Sequence, residues 1–173
     1  MKKLLLLIIP VIFLTGCLPT QLLKGRDTSV VNASYGTYRI DGLVKRSDHS
    51  TANKTFYVLT KDRYTTTPDN VSVEMGTNYY SKSQMNTFKS AIQLQLYSQV
   101  GRDATIVGNG ITTTKGNNVL KFIIKKKNDN TEVTQYYIIG DYKYVLVYET
   151  NFSGNTDLNV AVFNIVDTLE WKE

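Results

Sequence analysis

From about residue 36 the chain alternates apolar and polar positions in short runs, as half-buried strands do. "YGTYRIDGLVKR" (35–46) and "KTFYVLTKD" (54–62) alternate loosely and are rich in the Thr, Tyr and Val that strands prefer. "TTTPDNVSVEMG" (65–76) turns at Pro68-Asp69-Asn70 and enters a short strand. The period then changes. Ser81 and Gln84 fit a capping box, and Met85, Phe88, Ile92, Leu96 and Gln99/Val100 step by three or four, which predicts a helix stopped at Gly101. The second half returns to strands. "DATIVGNGITTTK" turns at "GNN" into "NVLKFIIKKK", which turns at Asn128-Asp129-Asn130 into "TEVTQYYIIG". Gly140-Asp141 is a two-residue hairpin signal leading into "YKYVLVYET". "NFSGNTD" is a loop with Asn155 or Thr156 as helix cap, after which Leu158, Ala161/Val162, Ile165/Val166 and Leu169 form one face of a closing helix.

Strands, a long helix, a four-strand meander and a closing helix define an α+β fold with an antiparallel sheet. "KFIIK", "YYIIG" and "YVLVY" are nearly continuous apolar runs, so both faces of the central strands are expected to be covered. This order, with its amphipathic ending "FNIVDTLEWK", resembles the PsbP-like α/β sandwich over roughly residues 36 to 173. The resemblance implies a meandering sheet flanked by one long and one C-terminal helix. It also implies a domain that binds or assembles, and it transfers no site residue. The alternative is a cystatin-like or nuclear-transport-factor-like curved sheet, in which the long helix comes first.

The start of the chain follows other rules. "MKKLLLLIIPVIFLTGC" places Lys2 and Lys3 before an apolar run from Leu4 to Leu14 broken only by Pro10. That run is shorter than the roughly 20 residues a helix needs to cross a bilayer, and it reads as a secretory signal. Its end, Leu14-Thr15-Gly16-Cys17, resembles the lipobox of bacterial lipoproteins. The resemblance implies cleavage between Gly16 and Cys17, a diacylglyceryl group on the Cys17 thiol, and an acylated new amino terminus. Two or more chains are what stable anchoring takes. The expected organisation is therefore a cleaved signal (1–16), a lipidated Cys17 with a flexible tether (17–35), and one globular domain (36–173). As a coil the tether reaches about 20–25 Å. In the alternative, "TSVV" (28–31) adds a first strand.

Charge and composition narrow the function. The chain carries a formal +5, and losing Lys2 and Lys3 leaves +3 (5 − 2), which suits an anionic envelope surface and does not call for nucleic acid. Cys17 is the only cysteine, so no disulfide is expected within the chain.

Catalytic signatures are weak. His49, the only histidine, stands in "RSDHSTANK" between Asp48 and Ser50, but sequence neighbours do not converge as a triad, and a polar hairpin loop is the plain reading. No run with calcium-loop spacing occurs, so neither a metal nor a catalytic residue is expected. "VGNGIT" (107–112) lacks the helix a phosphate loop needs and reads as a strand bulge. Lys125 to Lys127 read as a solvated strand tip, with contact to an anionic lipid or wall polymer as the functional alternative. The chain has twelve tyrosines; strand alternation puts Tyr142, Tyr144 and Tyr148 on one side, the candidate partner surface. The function expected is an envelope-anchored, non-catalytic protein-binding lipoprotein without cofactor, for example an immunity protein against a secreted toxin. A small-ligand or sensor lipoprotein is the alternative, and a hydrolase based on His49 the third reading.

Overall fold

The computed structural model describes residues 28–127 and 131–172. The expectations for the signal, Gly16, Cys17 and the Asn128-Asp129-Asn130 turn lie outside the described residues.

The elements follow in the order β1 (Thr28–Asn32), β2 (Gly36–Asp41), β3 (Leu43–Lys45), β4 (Lys54–Leu59), β5 (Asn70–Thr77), α1 (Met85–Val100), β6 (Ala104–Thr112), β7 (Asn118–Lys126), β8 (Glu132–Ile139), β9 (Lys143–Thr150), α2 (Thr156–Thr168) and β10 (Glu170–Trp171). Seven strands form one antiparallel sheet in the order β3-β4-β5-β9-β8-β7-β6. The expected meander from β6 to β9 is intact, and β5 docks on β9 to add the earlier strands. A small sheet, β1-β2-β10, lies apart in the pairing.

Both faces of the large sheet are covered. On one, Phe88, Ile92 and Leu96 of α1 pack on Leu120, Phe122 and Tyr137. On the other, Leu158, Val162 and Ile165 of α2 pack with Tyr38 and Ile40 of β2 on Ile138, Val145 and Val147. The helices start where their caps lie. Ser81 N–H donates to Gln84 Oε1 at 3.1 Å ahead of α1, and Asp157 N–H donates to Asn155 Oδ1 at 3.0 Å at the start of α2. Between β2 and β4 the Tyr38 and Tyr57 hydroxyls are 2.8 Å apart, and burial pushes both above the ordinary phenol range.

Four local expectations are corrected. The tether to residue 35 gives way to its alternative, a first strand at 28–31: Thr28–Asn32 is paired with β2 from Thr28↔Asp41 to Asn32↔Thr37. Its residues are mostly exposed, so backbone pairing, which leaves no apolar pattern, holds it. The closing helix stops at Thr168, and Trp171 belongs to β10 instead. Gly108 makes no bulge. The β6–β7 register is one-to-one from Ala104↔Lys126 to Thr112↔Asn118, and a Cβ on Gly108 would stand 2.7 Å from the Phe122 ring. The glycine makes room for a core aromatic. Lastly, the β8–β9 loop is Asp141-Tyr142, closed by Gly140 N–H donating to the Lys143 carbonyl at 2.9 Å. The residue at positive φ is Tyr142 (57°), and no glycine takes that position.

Gly36 is the seam of the small sheet. A Cβ there would lie 2.4 Å from the Glu170 carbonyl oxygen, a backbone atom that cannot turn away. Gly36→Ala is expected to unpair β10, cost about 1–3 kcal/mol in urea unfolding, and red-shift the emission of Trp171, the single tryptophan. Unchanged emission and stability would contradict this account of the seam.

Candidate functional site

The tyrosines chosen from the sequence separate. Tyr144 lies on the α1 face, its ring 5.5 Å from Phe88 and 5.4 Å from Tyr137. A Cβ on the facing Gly76 would meet the Tyr144 ring at 2.4 Å, so Gly76 is the bed on which that ring lies. Tyr148 shares the face, half-buried opposite Gln135 and Ser72. Tyr142 precedes β9, so strand alternation does not reach it, and it is 60% exposed at the loop tip. Tyr144 is therefore largely a packing residue and Tyr142 a surface one.

Around Tyr142 the chain is tightly held. Its N–H donates to the Tyr80 carbonyl at 2.9 Å, and its carbonyl accepts from Asn78 N–H at 3.0 Å. Asp141 Oδ1 accepts from Lys82 N–H at 2.9 Å, and Asn78 Oδ1 from Tyr80 N–H at 2.8 Å. These bonds tie the 78–82 loop to the β8–β9 turn and place Tyr79, 95% exposed, on the same end of the molecule as Tyr142. Sequence reasoning missed Tyr79 as a companion, because the β5–α1 connection has no period to read.

The His49 segment is a short helical turn, Ser47–His49. Arg46 grips Asp48 with Nε–Oδ1 and Nη2–Oδ2 contacts of 2.9 and 2.7 Å, which hold the carboxyl down at about 2. His49 Nε2 is 3.3 Å from Asp48 Oδ2, and its ring lies 5.4 Å from Phe56. Ser50 Oγ donates to the Arg46 carbonyl at 2.8 Å and accepts from Phe56 N–H at 3.0 Å. That hydroxyl is committed to the backbone, and the three neighbours form a turn. Among the described residues, no group of three or more His, Cys, Asp or Glu is placed to hold a metal ion. Nor is any described helix long and apolar enough to cross a membrane.

The most unusual polar group was not singled out by sequence. Glu149, near the end of β9, is 3% exposed, and its Oε1 has no hydrogen-bond partner. It lines a pocket of about 290 Å³ with Glu132 and Thr134 of β8, the loop residues Asn151 and Phe152, and Asn159 of α2. Alternation along β9 explains its place. Val145, Val147 and Glu149 face α2, but α2 begins at Thr156, so its apolar stripe covers the two valines and leaves Glu149 under the helix start. The loop over it is fixed by Asp69, whose Oδ1 accepts from Phe152 N–H at 2.7 Å and whose Oδ2 accepts from Ser153 Oγ. Burial is the main cause that pushes the Glu149 carboxyl up to about 7, with Glu132 and Asp69 adding to it and Lys121 and Asn151 opposing it.

No protein-family model matches the chain, and no curated relative matches it. Among solved structures, the chain is similar to cyanobacterial PsbP (CyanoP) from Synechocystis sp. PCC 6803, with a TM-score of 0.57 at 7% identity. The match covers 84% of this chain and 92% of that one. The fold is thus a PsbP-like α+β sandwich, as the element order implied. At that identity the likeness speaks for the fold alone.

Glu149 gives a pH signature with a definite sign. Unfolded, it ionises near its ordinary 4.5; folded, near 7. The unfolded state thus holds fewer protons between these values, and the folded state loses stability as pH rises through them, by about 3 kcal/mol, with no further loss above. Glu149→Gln removes this penalty. Urea unfolding at pH 4.5 and pH 8 is expected to show the variant gaining about 3 kcal/mol on the parent across that interval. A constant difference would mean that Glu149 ionises normally.

Proposed function

We propose that the chain is an envelope lipoprotein, anchored through acyl chains on Cys17, whose exported domain is a non-catalytic protein-binding module. An immunity protein that neutralises a secreted toxin is the special case that suits its small size. The observation that carries the binding reading is Tyr142. A tyrosine at φ 57° occupies a turn position that glycine takes without strain, and it is 60% exposed. Such strain costs on the order of 1 kcal/mol, so a large exposed aromatic there suggests a role other than stability. With Tyr79 it offers two amphipathic rings on hydrogen-bonded loops, side chains that dominate protein interfaces.

The test is capture. The protein, immobilised, is offered the secreted and envelope proteins of its host, and retained species are identified by mass spectrometry. One stoichiometric partner is expected, with affinity reduced at least tenfold in Tyr142→Gly and Tyr79→Ala. Tyr142→Gly should at the same time unfold at equal or higher urea concentration, which separates loss of binding from loss of fold. A blank, or a partner indifferent to both substitutions, would sink this reading. The Glu149 pocket favours a second reading, in which the domain takes a small ligand.

A further inference from the structure

We infer that the Glu149 pocket is a binding site for an organic cation, a single alkylammonium or alkylguanidinium head. The site is distinct from the Tyr79–Tyr142 end, and the inference does not depend on that end binding a protein.

Three observations converge. First, Glu149 Oε1 is a buried acceptor without a donor, which folded proteins seldom tolerate. Glu149 also lines the pocket, so an N–H donor held there stands against its carboxyl group. Second, the other polar groups at the pocket leave room for a donor rather than a further acceptor. Asn151 Nδ2 divides its protons among the Asn155 carbonyl at 2.9 Å, Asn159 Oδ1 at 2.6 Å and the Glu149 carboxyl, which it satisfies only in part, while Glu132 adds a second carboxylate to the wall. Third, Phe152 lines the same pocket, 62% exposed, with its backbone pinned by Asp69. An aromatic side chain and two carboxyl groups lining one pocket suit a cation with an alkyl stem. At about 290 Å³ the pocket takes one head group or a small fragment. The absence of a three-ligand acidic cluster among the described residues favours an organic cation over a metal ion.

The charges facing Glu149 set the conditions. Lys121 on β7 opposes a cation, while Glu132 on β8 and Asp69 before β5 favour one. The Lys121 ammonium is itself drawn over the Tyr136 ring, 5.3 Å from its centroid. A cation binds ionised Glu149, so binding expels the proton the free site carries. Because the free carboxyl titrates at about 7, affinity should rise roughly tenfold from pH 6 to pH 8 and then level.

The experiment titrates the full-length protein with n-butylammonium and n-butylguanidinium by calorimetry, at pH 6 and 8, in buffers of different ionisation enthalpy. Amide shifts of Thr134, Asn151 and Phe152 are followed by NMR. Expected are saturable binding at the pocket, close to one proton released at pH 6, and the tenfold pH dependence. Glu149→Gln should abolish binding. Phe152→Ala, which leaves the carboxyl in place, should weaken it several-fold with the proton release retained. A peptide bearing one arginine that binds much more tightly than n-butylguanidinium would identify a partner side chain as the cation; equal affinity would identify a free small molecule. No binding, affinity that rises toward low pH, or binding of calcium in place of both amines would overturn the inference. None of these results bears on capture through Tyr142, so the two proposals fail separately.

Discussion

Every residue of β8 from Thr134 to Ile139 is buried, and a strand without a wet side exists only between two covered faces. The rest of the architecture follows from that constraint. Tyr136 and Ile138 point to one layer, and Gln135, Tyr137 and Ile139 to the other. The first layer needs α2 and the small sheet; the second needs α1. Polar exceptions on β8 are accommodated differently. Gln135 Oε1 accepts from the Tyr137 hydroxyl at 2.7 Å, within its own strand. Thr134 lies at the pocket, where the cover of α2 ends.

Much of this was legible in the chain because burial writes a period. The step from Phe88 to Ile92 to Leu96, the apolar doublets of α2 and the runs in β7 to β9 each record which side meets the core. What was not legible has no side-chain period. β1 and β10 are held largely by backbone pairing, with only Val31 and Trp171 touching the core, so Thr28–Asn32 reads as tether with a strand at 28–31 as the alternative, and Trp171 as the end of a helix. Gly108 reads as a bulge because a glycine that clears space for Phe122 looks the same in sequence as one that bends a strand. The hairpin signal Gly140-Asp141 was displaced by one residue, because the tertiary bonds of Asn78 and Tyr80 decide where the turn closes.

The candidate sites divide the same way. Tyr142 was named with Tyr144 and Tyr148 from strand alternation, but its strain belongs to the turn, and its neighbour Tyr79 is brought by a different segment. Glu149 sits in "YET" among ordinary strand residues, and nothing local marks it. It becomes unusual only because α2 starts seven residues later and leaves it roofed by a loop. A charge placed by the length of a loop is invisible to composition and to motif alike.

The small sheet has a mechanical side. β1 is an edge strand, exposed along almost its whole length, and it is the first described element that a load applied from the N-terminal side would meet. Under tension β1 is the cheapest element to peel, since its release uncovers little apolar surface and leaves β2 joined to β10 and α2. Peeling its five residues lengthens the chain by about 16 Å while the sandwich stays whole. The domain thus carries reserve length at its leading end, a slack that is drawn out before any load reaches the core.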